Sequence, residues 1–217
     1  SARVLGPRWI AAAAMIAGVA LVPLAWRASQ GGAVREPSHA VAMLENPSAG
    51  LPPGFPIGVW SPTRSRGEVV TDEGRPVRVG AFGVDLEVAA RAGDAENARM
   101  LAARIAALLR DAPGGEIAAR QFDPVVARPD APAAELLPVV QDANRIAAEA
   151  LDPDRYALGA WAEAARLAVA RRDAGFFLEG RTRRTLESAE ALVGDEEGAR
   201  TALNAIRASS DPDTTDW

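Results

Sequence analysis

Cysteine and lysine are both missing from this chain, and histidine occurs once. The lack of cysteine excludes disulfides, thiolate metal sites and cysteine catalysis, and the lack of lysine excludes Schiff-base chemistry. All 24 basic side chains are therefore arginine, a usage that we attribute to GC-rich coding rather than to function. The net charge of −5 argues against a nucleic-acid surface, because phosphate binding needs a basic patch.

Charge is also missing from the stretch between Trp9 and Trp26. As a helix this stretch would be ~27 Å long, close to the ~30 Å hydrocarbon core of a bilayer. The two tryptophans suit the membrane interfaces, and Arg8 and Arg27 beside them can reach the lipid headgroups. The sequence therefore predicts a single transmembrane helix at residues 9–26.

One face of this predicted helix carries small residues, which let a second membrane helix approach closely. These residues are Ala13, Ala14, Ala17 and Gly18. The span has no His, Asp or Glu, so it offers no side-chain ligand for a chlorin magnesium or a haem iron. We therefore predict no cofactor for this chain. A cleaved secretory signal is the alternative interpretation, but no convincing small-x-small cleavage site follows Trp26.

The basic residues on either side of the span indicate its orientation. Arg3, Arg8 and an amino group precede it in the flank at residues 1–8, whereas Arg27 and Arg35 follow it. By the positive-inside rule, this small excess favours a cytoplasmic N-terminus. We expect a single-pass protein of a bacterial inner membrane with its main domain in the periplasm.

Proline and glycine are abundant in residues 27–67, so this segment is not expected to form a long helix or a central strand. One short helical turn, Ser38 to Leu44, is expected within this extended linker arm. Its apolar residues are interpreted as contacts with a partner or with the chain's own domain. These partner-contact candidates are Leu51, Phe55, Ile57 and Trp60, together with Trp217 in the polar C-terminal tail at residues 210–217.

The residues between arm and tail are enough for one domain with a core. Residues 68–80 alternate around a turn at Asp72 and Gly74, which predicts a small β-hairpin. Residues 81–209 carry apolar residues at helical spacing. The predicted fold class is mostly α: one transmembrane helix, an extended arm, a small hairpin and an α-helical hairpin domain.

Capping residues place the helices of this domain. Gly93 and Asp94 are predicted to join a helix ending at Ala92 to a helix that runs through Arg110. A short helix is predicted at residues 116–122, followed by a loop at residues 123–132. A long helix is predicted at 132–151, with a bend near Pro138, and another at 153–172, capped by Asp152. Asp173 is predicted to cap the next helix, which is followed by helices at 186–193 and from Gly194-Asp195 through Ala208.

Two segments of the chain are similar to each other. Phe82 to Ala95 and Leu158 to Ala174 both run from a glycine through an acid and an Ala-rich helix to Asp-Ala, with a three-residue insertion in the second. Two stacked helical hairpins related by duplication would give this pattern, as in short tetratricopeptide-like arrays. The alternative is coincidence between Ala-rich helices.

Few residues suggest catalysis. His39 lies in the arm without nearby partners for a metal and is expected on the surface. Asp85, Glu87 and Glu163 lie on Ala-rich helices and could pair for acid–base catalysis, but without a cleft signature around them they are expected on solvated faces or as helix-end charges. We therefore predict that the protein is not an enzyme.

The layout of one span, an arm and a helical domain resembles the single-span accessory subunits of bacterial photosynthetic reaction-centre and light-harvesting complexes. The resemblance is one of layout and composition over the whole chain. It implies a structural subunit that contacts the bilayer and neighbouring subunits, some of which bind pigment, and that binds no nucleic acid. The alternative function is a membrane-tethered periplasmic tetratricopeptide-like binding module or assembly factor.

Overall fold

The computed structural model describes residues 34–55 and 72–178, together with residues 180, 182, 184 and 185. These residues belong to one compact unit. They contain no strand and eight helices: α1 (Pro37–Val41), α2 (Gly74–Ala92), α3 (Ala95–Arg110), α4 (Glu116–Arg120), α5 (Asp123–Ala127), α6 (Ala133–Ala150), α7 (Pro153–Arg171) and α8 (Gly175–Leu178). The prediction of a mostly α-helical domain is confirmed.

Several predictions concern residues outside the described ranges. The predicted transmembrane helix at residues 9–26 is one of them, with its small-residue face. The others are the flanking Arg8 and Arg27, the contact candidates Ile57, Trp60 and Trp217, and the helices predicted from residue 186 onward. Within the part of the chain that the structure describes, no helix is long and apolar enough to cross a membrane.

Helix α2 lies at the centre of the domain, in contact with α1, α3, α6 and α7. Every residue from Val79 to Ala90 is buried. One apolar cluster joins Phe82 of α2 to α3 and to the helices that follow it, and a second joins Val84 to α7 and the arm. A helix that is buried on all sides has no polar stripe, which explains why its sequence lacks a clear helical period.

The predicted β-hairpin at residues 68–80 is wrong where the structure describes it, because residues 74–80 form the first turns of α2. Val77 and Val79 lie on either side of Arg78, an alternation that also fits a strand, and so short a segment does not show a helical period. Pro76 is tolerated because the first helical turn leaves its N–H groups without intrahelical partners.

The predicted joint between α2 and α3 is confirmed. Helix α2 ends at Ala92, and Gly93 takes the left-handed conformation with a φ angle of 70°. Asp94 then caps α3, because its Oδ1 accepts a hydrogen bond from the Asn97 N–H at 3.1 Å. This pairing of a left-handed glycine with a capping acid is the usual way to reverse a helical chain within two residues.

The start of α7 agrees with its prediction, whereas the segment before α6 differs from it. Asp152 caps α7 by accepting a hydrogen bond from the Arg155 N–H at 3.0 Å, and Pro153 is the first helical residue. Pro138 lies inside α6. The segment predicted as a loop at residues 123–132 instead begins with helix α5, whose first turn accommodates Pro124.

Helices α2 and α7 repeat each other. Both have nineteen residues, from Gly74 to Ala92 in α2 and from Pro153 to Arg171 in α7. When the first residues of the two helices are aligned, the last residues align as well, without a gap. After each helix comes a left-handed residue and then a capping aspartate. The similarity in sequence is therefore a structural repeat, and its alignment needs no insertion.

Reciprocal glycines bring these two helices into backbone contact. A Cβ at Gly80 of α2 would overlap the carbonyl oxygen of Tyr156, and a Cβ at Gly159 of α7 would overlap that of Val77. Gly80 corresponds to Gly159 in the repeat, and Val77 corresponds to Tyr156. The contact is therefore isologous, with approximate two-fold symmetry.

Candidate functional site

Three carboxylic acids are buried in and beside the contact between α2 and α7. Asp85 and Glu87 in α2 and Glu163 in α7 have exposed fractions of 1%, 0% and 0%. The prediction that these acids lie on solvated faces is wrong. Neighbouring helices and the arm cover these acids, although composition alone would place them in water. The pattern of residues within one helix does not show which other segments will cover it.

Two of the three acids are matched by an arginine one helical turn later. Arg91 Nη2 lies 2.7 Å from Glu87 Oε1, which also accepts a hydrogen bond from Gln141 Nε2 of α6 at 3.1 Å. Arg166 donates two hydrogen bonds to Glu163, one of them from Nε to Oε2 at 2.9 Å. Both arginine side chains remain partly exposed, so each neutralises a buried carboxylate while keeping contact with water.

Within the part of the chain that the structure describes, no arginine forms an ion pair with Asp85. Neither of its carboxyl oxygens accepts a hydrogen bond from a donor within the described residues, and the carboxyl of Glu163 lies within hydrogen-bond reach. Burial raises the pKa of Asp85 well above its usual value, and Glu163 raises it further, while the charge of Arg166 opposes the shift. Two carboxyls can hydrogen-bond to each other only when one is protonated, and the raised pKa of Asp85 favours its neutral form.

Neutral polar groups lie beside these acids. Asn144 of α6 donates a hydrogen bond to the Gly83 carbonyl at 3.3 Å, and the Tyr156 hydroxyl donates to the Asn144 carbonyl at 2.9 Å. Burial raises the pKa of Tyr156, and the negative charges of Glu36 and Glu87 add to the shift. The hydroxyl therefore stays protonated and ties α7 to the backbone of α6.

The single histidine lies away from this network. His39 in α1 is partly exposed, and its Nε2 lies 3.2 Å from Glu36 Oε1. Across the described ranges, no three His, Asp or Glu side chains are grouped as ligands for a metal ion.

A second set of polar contacts fastens residues 34–55, which we call the packed arm, to the C-terminal end of α7. Asp173 Oδ2 accepts a hydrogen bond from the Glu45 N–H at 2.7 Å. Arg171 donates to the carbonyl of Asn46 at 2.8 Å and to the carbonyl of Gly50. Burial lowers the pKa of Arg171, an effect that the charge of Asp173 opposes. These contacts fix the backbone of the arm.

Arg166 links the packed arm to the buried acids. Its guanidinium carbon lies 3.8 Å from the centroid of the Phe55 ring, while the same guanidinium binds Glu163. We call Arg166, Arg171 and Asp173 the arm clamp. Leu51 and Phe55 pack against the second core cluster. The sequence left two interpretations for Leu51 and Phe55, a contact with a partner or a contact with the chain's own domain. The structure shows that both contact the chain's own domain.

The residues of the arm clamp differ in how far the sequence marks them. Asp173 was predicted as a helix cap, and it does cap the Phe176 N–H at 3.2 Å. Glu163 and Arg166 lie three residues apart in one helix, a spacing that indicates an ion pair and that sequence reasoning missed. The spacing does not indicate that the pair is buried, since exposed pairs such as Glu116 and Arg120 have a similar one. Arg171 had no such signal, because its backbone acceptors lie 125 and 121 residues away along the chain.

Comparison with protein-family models, with curated proteins and with solved structures finds no match to this chain.

Proposed function

We propose that this chain is a non-catalytic accessory subunit that anchors to and stabilises a larger bacterial membrane complex. Residues 9–26 would be its membrane helix, and the helical domain would lie in the periplasm. The observation that supports this proposal is the arm clamp. It holds the backbone of residues 45–50 against α7 by three hydrogen bonds, so the described part of the arm is a fixed element rather than a loose tether.

The connection to the proposed membrane helix is short. Seven residues, 27–33, separate Trp26 from Val34, where the packed arm begins. The Val34 N–H is itself held by the Thr185 hydroxyl at 3.1 Å. Seven residues reach at most ~25 Å even when fully extended. A short link to a fastened arm suits a subunit with one position in a complex.

A structural role also fits the chemistry of the buried acids. A catalytic acid or base must come within hydrogen-bond reach of its substrate. Asp85, Glu87 and Glu163 have almost no exposed surface, and two of them are engaged by arginine. Their contacts join helices to each other and to the arm.

A photosynthetic reaction-centre–light-harvesting assembly is the specific complex that we propose, on the layout of span, arm and domain. In it, the small-residue face of the span would pack on a neighbouring membrane helix. Ile57, Trp60 and Trp217 would contact other subunits, because aromatic and aliphatic anchors dominate many interfaces. Pigments would be bound by those neighbours.

The alternative, a tethered tetratricopeptide-like binding module, is less well supported by the geometry of the repeat. Stacked hairpins in such arrays contact their neighbours through different faces, which leaves a continuous concave surface. Helices α2 and α7 instead meet through the same positions on both, at Gly80 and Gly159. We therefore favour the accessory subunit.

Extraction from native membranes in a mild detergent tests the proposal. We expect the chain to elute in fixed stoichiometry with the other subunits of one complex. Elution as a separate monomer, under conditions in which other membrane complexes stay intact, would contradict the proposal and favour the binding module. For orientation, protease added to sealed inverted inner-membrane vesicles should leave the domain intact, and its digestion would reverse the proposed topology.

A pair of variants tests the contribution of the arm. Arg171→Gln removes the charged donor to Asn46 and Gly50, whereas Arg145→Gln removes an arginine that pairs with Asp142 and Glu149 on the surface of α6. We expect the first variant to lower recovery in the complex severalfold and the second to leave it unchanged. Circular dichroism of each variant checks that the helical domain is retained.

A further inference from the structure

The outward side of α7 carries an apolar stripe that is only partly covered. We call Leu158, Ala162 and Val169 the outward stripe, because their spacings of four and seven residues place them on one face of the helix. Leu158 and Ala162 are partly buried beside the packed arm, and Val169 is 60% exposed. An apolar stripe on a core helix is normally covered by another segment.

The counterparts of this stripe in α2 are covered. In the alignment of the two repeats, Leu158 corresponds to Val79 and Val169 corresponds to Ala90. Both counterparts are buried, and both belong to the apolar cluster that α2 shares with α3. The first repeat therefore has a helix over positions that stay open in the second.

The segment directly after α7 does not supply the same cover. The buried residues of α3 include one from each of its first three turns: Ala98, Leu101 and Ile105. In the second repeat, Phe177 corresponds to the first of these and is buried. Gly180 and Arg184 correspond to the other two, and both are exposed. At the described positions, the apolar face of α3 is therefore kept only in the first turn.

The sequence of α3 recurs nearer the C-terminus. Residues 194–206 match residues 93–105 at six of thirteen positions without a gap, namely at one Gly, Asp, Glu, Ala, Arg and Ile each. The matches include the glycine and the capping aspartate of the joint. The counterparts of the buried positions in the first three turns of α3 are all apolar: Ala199, Ala202, Leu203 and Ile206. The chain thus contains a second copy of the face that α7 lacks.

The connection is long enough to bring this segment to α7. The Thr185 hydroxyl accepts a hydrogen bond from the Val34 N–H at 3.1 Å, so residue 185 lies at the start of the packed arm, which packs on α7. Nine residues, 186–194, follow it and reach at most ~32 Å. Helix α7 has nineteen residues and is ~28 Å long. Gly194 can therefore reach either end of α7.

We propose that residues 194–208 form a helix that docks on the outward stripe of α7, beside the packed arm, as α3 docks on α2. A helix of this length is marginal in water by itself and needs an apolar surface to pack against. Ala98 lies in the first turn of α3, next to the joint where α2 ends. By the same register, its counterpart Ala199 lies over Val169. The docking takes place within one chain and does not depend on the proposed complex.

Disulfide formation tests this contact directly. The chain has no cysteine, so two introduced cysteines can form only one intramolecular bond. The test variant combines Val169→Cys with Ala199→Cys in the full chain in detergent micelles. A disulfide needs Cβ atoms ~4 Å apart, so we expect this pair to close at least ~tenfold faster than a pair on separate surfaces. Mass spectrometry of the linked peptides and a non-reducing gel identify the bond.

Two control pairs share one cysteine each with the test pair. Val169→Cys with Asn204→Cys uses a residue whose counterpart, Ala103, is on the exposed side of α3. Ile117→Cys with Ala199→Cys uses an exposed residue of α4. The proposal is overturned if the three pairs close at the same rate. It is also overturned if the test pair links two chains, since a second copy would then cover the stripe.

Hydrogen–deuterium exchange tests the docking without cysteines. Val169→Arg places a charge on the outward stripe and leaves residues 194–208 unchanged. We expect the protection of peptides covering residues 199–206 to fall ~tenfold in this variant and to stay the same in Ile117→Arg. Unchanged protection of residues 199–206 in Val169→Arg, or loss of protection at residues 51–55 in their place, would mean that another segment or a neighbouring subunit covers the stripe and would overturn the proposal.

Discussion

Helices α2 and α7 share their length, their glycine contact and their C-terminal joint, yet they have different surroundings. Helix α2 is buried from Val79 to Ala90, whereas α7 keeps an outward side on which Val169 is 60% exposed. The glycines and caps produce the same backbone in both places. What covers each helix is decided by segments far away in the chain. The comparison separates local geometry, which repeats, from burial, which does not.

The two capping aspartates show the same divergence. Asp94 uses its Oδ1 for the Asn97 N–H and its Oδ2 for the Asn97 side chain at 2.6 Å, so both contacts are local. Asp173 uses its Oδ1 for the Phe176 N–H and its Oδ2 for the Glu45 N–H of the arm. One copy of the cap has therefore gained a tertiary contact that the other copy lacks.

The largest expected effect comes from breaking the contact that the two helices share. In an ordinary helix, Gly→Ala stabilises the fold by up to ~1 kcal/mol. At Gly80 or Gly159 we expect the opposite sign, a loss of ~3 kcal/mol or more in the free energy of unfolding, because the new methyl group overlaps a backbone oxygen. Chemical denaturation measures both variants.

Gly83→Ala is the matched control for these two. Its Cβ would lie 2.6 Å from Pro37 Cγ and 3.0 Å from Asn144 Oδ1, which are side-chain atoms and can shift. We expect a smaller loss than at Gly80 or Gly159. Similar losses at all three glycines would contradict the special role of the backbone contact.

The next largest difference concerns the two buried ion pairs. Arg166→Met leaves the Glu163 carboxylate without its cation, and we expect a loss of ~3 kcal/mol. Arg91→Met should cost less, ~2 kcal/mol, because Gln141 still donates to Glu87. Thermal and urea unfolding at one pH compare the two, and a larger loss for Arg91→Met would show that the amide of Gln141 contributes nothing.

A smaller difference is expected between the capping aspartates. Asp94→Ala removes a local cap and should cost ~1 kcal/mol. Asp173→Ala also leaves the Glu45 N–H without its partner, so we expect ~2 kcal/mol. Amide exchange at Glu45 should rise in the second variant alone. Equal stability losses without faster exchange at Glu45 would mean that the clamp adds nothing to the cap.

The smallest effect concerns the left-handed residue after each helix. Gly93 has a φ angle of 70° and Arg172 one of 58°. Nothing lies within 4 Å of a Cβ placed at Gly93, so Gly93→Ala reports backbone strain alone and should cost ~1 kcal/mol. Arg172→Gly should gain ~0.5–1 kcal/mol. Melting temperatures that move in the same direction would contradict this reading.

The sequence predicted those parts of the fold that depend on neighbours along the chain. Gly93 with Asp94 and Asp152 with Pro153 mark helix ends because their preferences act within one or two turns. The same reasoning failed at residues 74–80, where valines alternate with arginine as they would in a strand and the segment is too short to show a helical period. It also failed for Asp85 and Glu163, because a carboxylate in an Ala-rich helix has the same local pattern whether or not another helix covers it.

By itself, then, the sequence predicted the joints at Gly93-Asp94 and Asp152-Pro153 and the mostly α-helical class of the described domain, since each depends on local preference; it suggested the repeat of α2 in α7 but left coincidence as the alternative. Only the tertiary structure decided which repeat is enclosed, that Asp85 and Glu163 are buried, and that Arg171 holds the arm. These outcomes depend on contacts between residues far apart in the chain, where burial and charge are set by the packing of the whole domain.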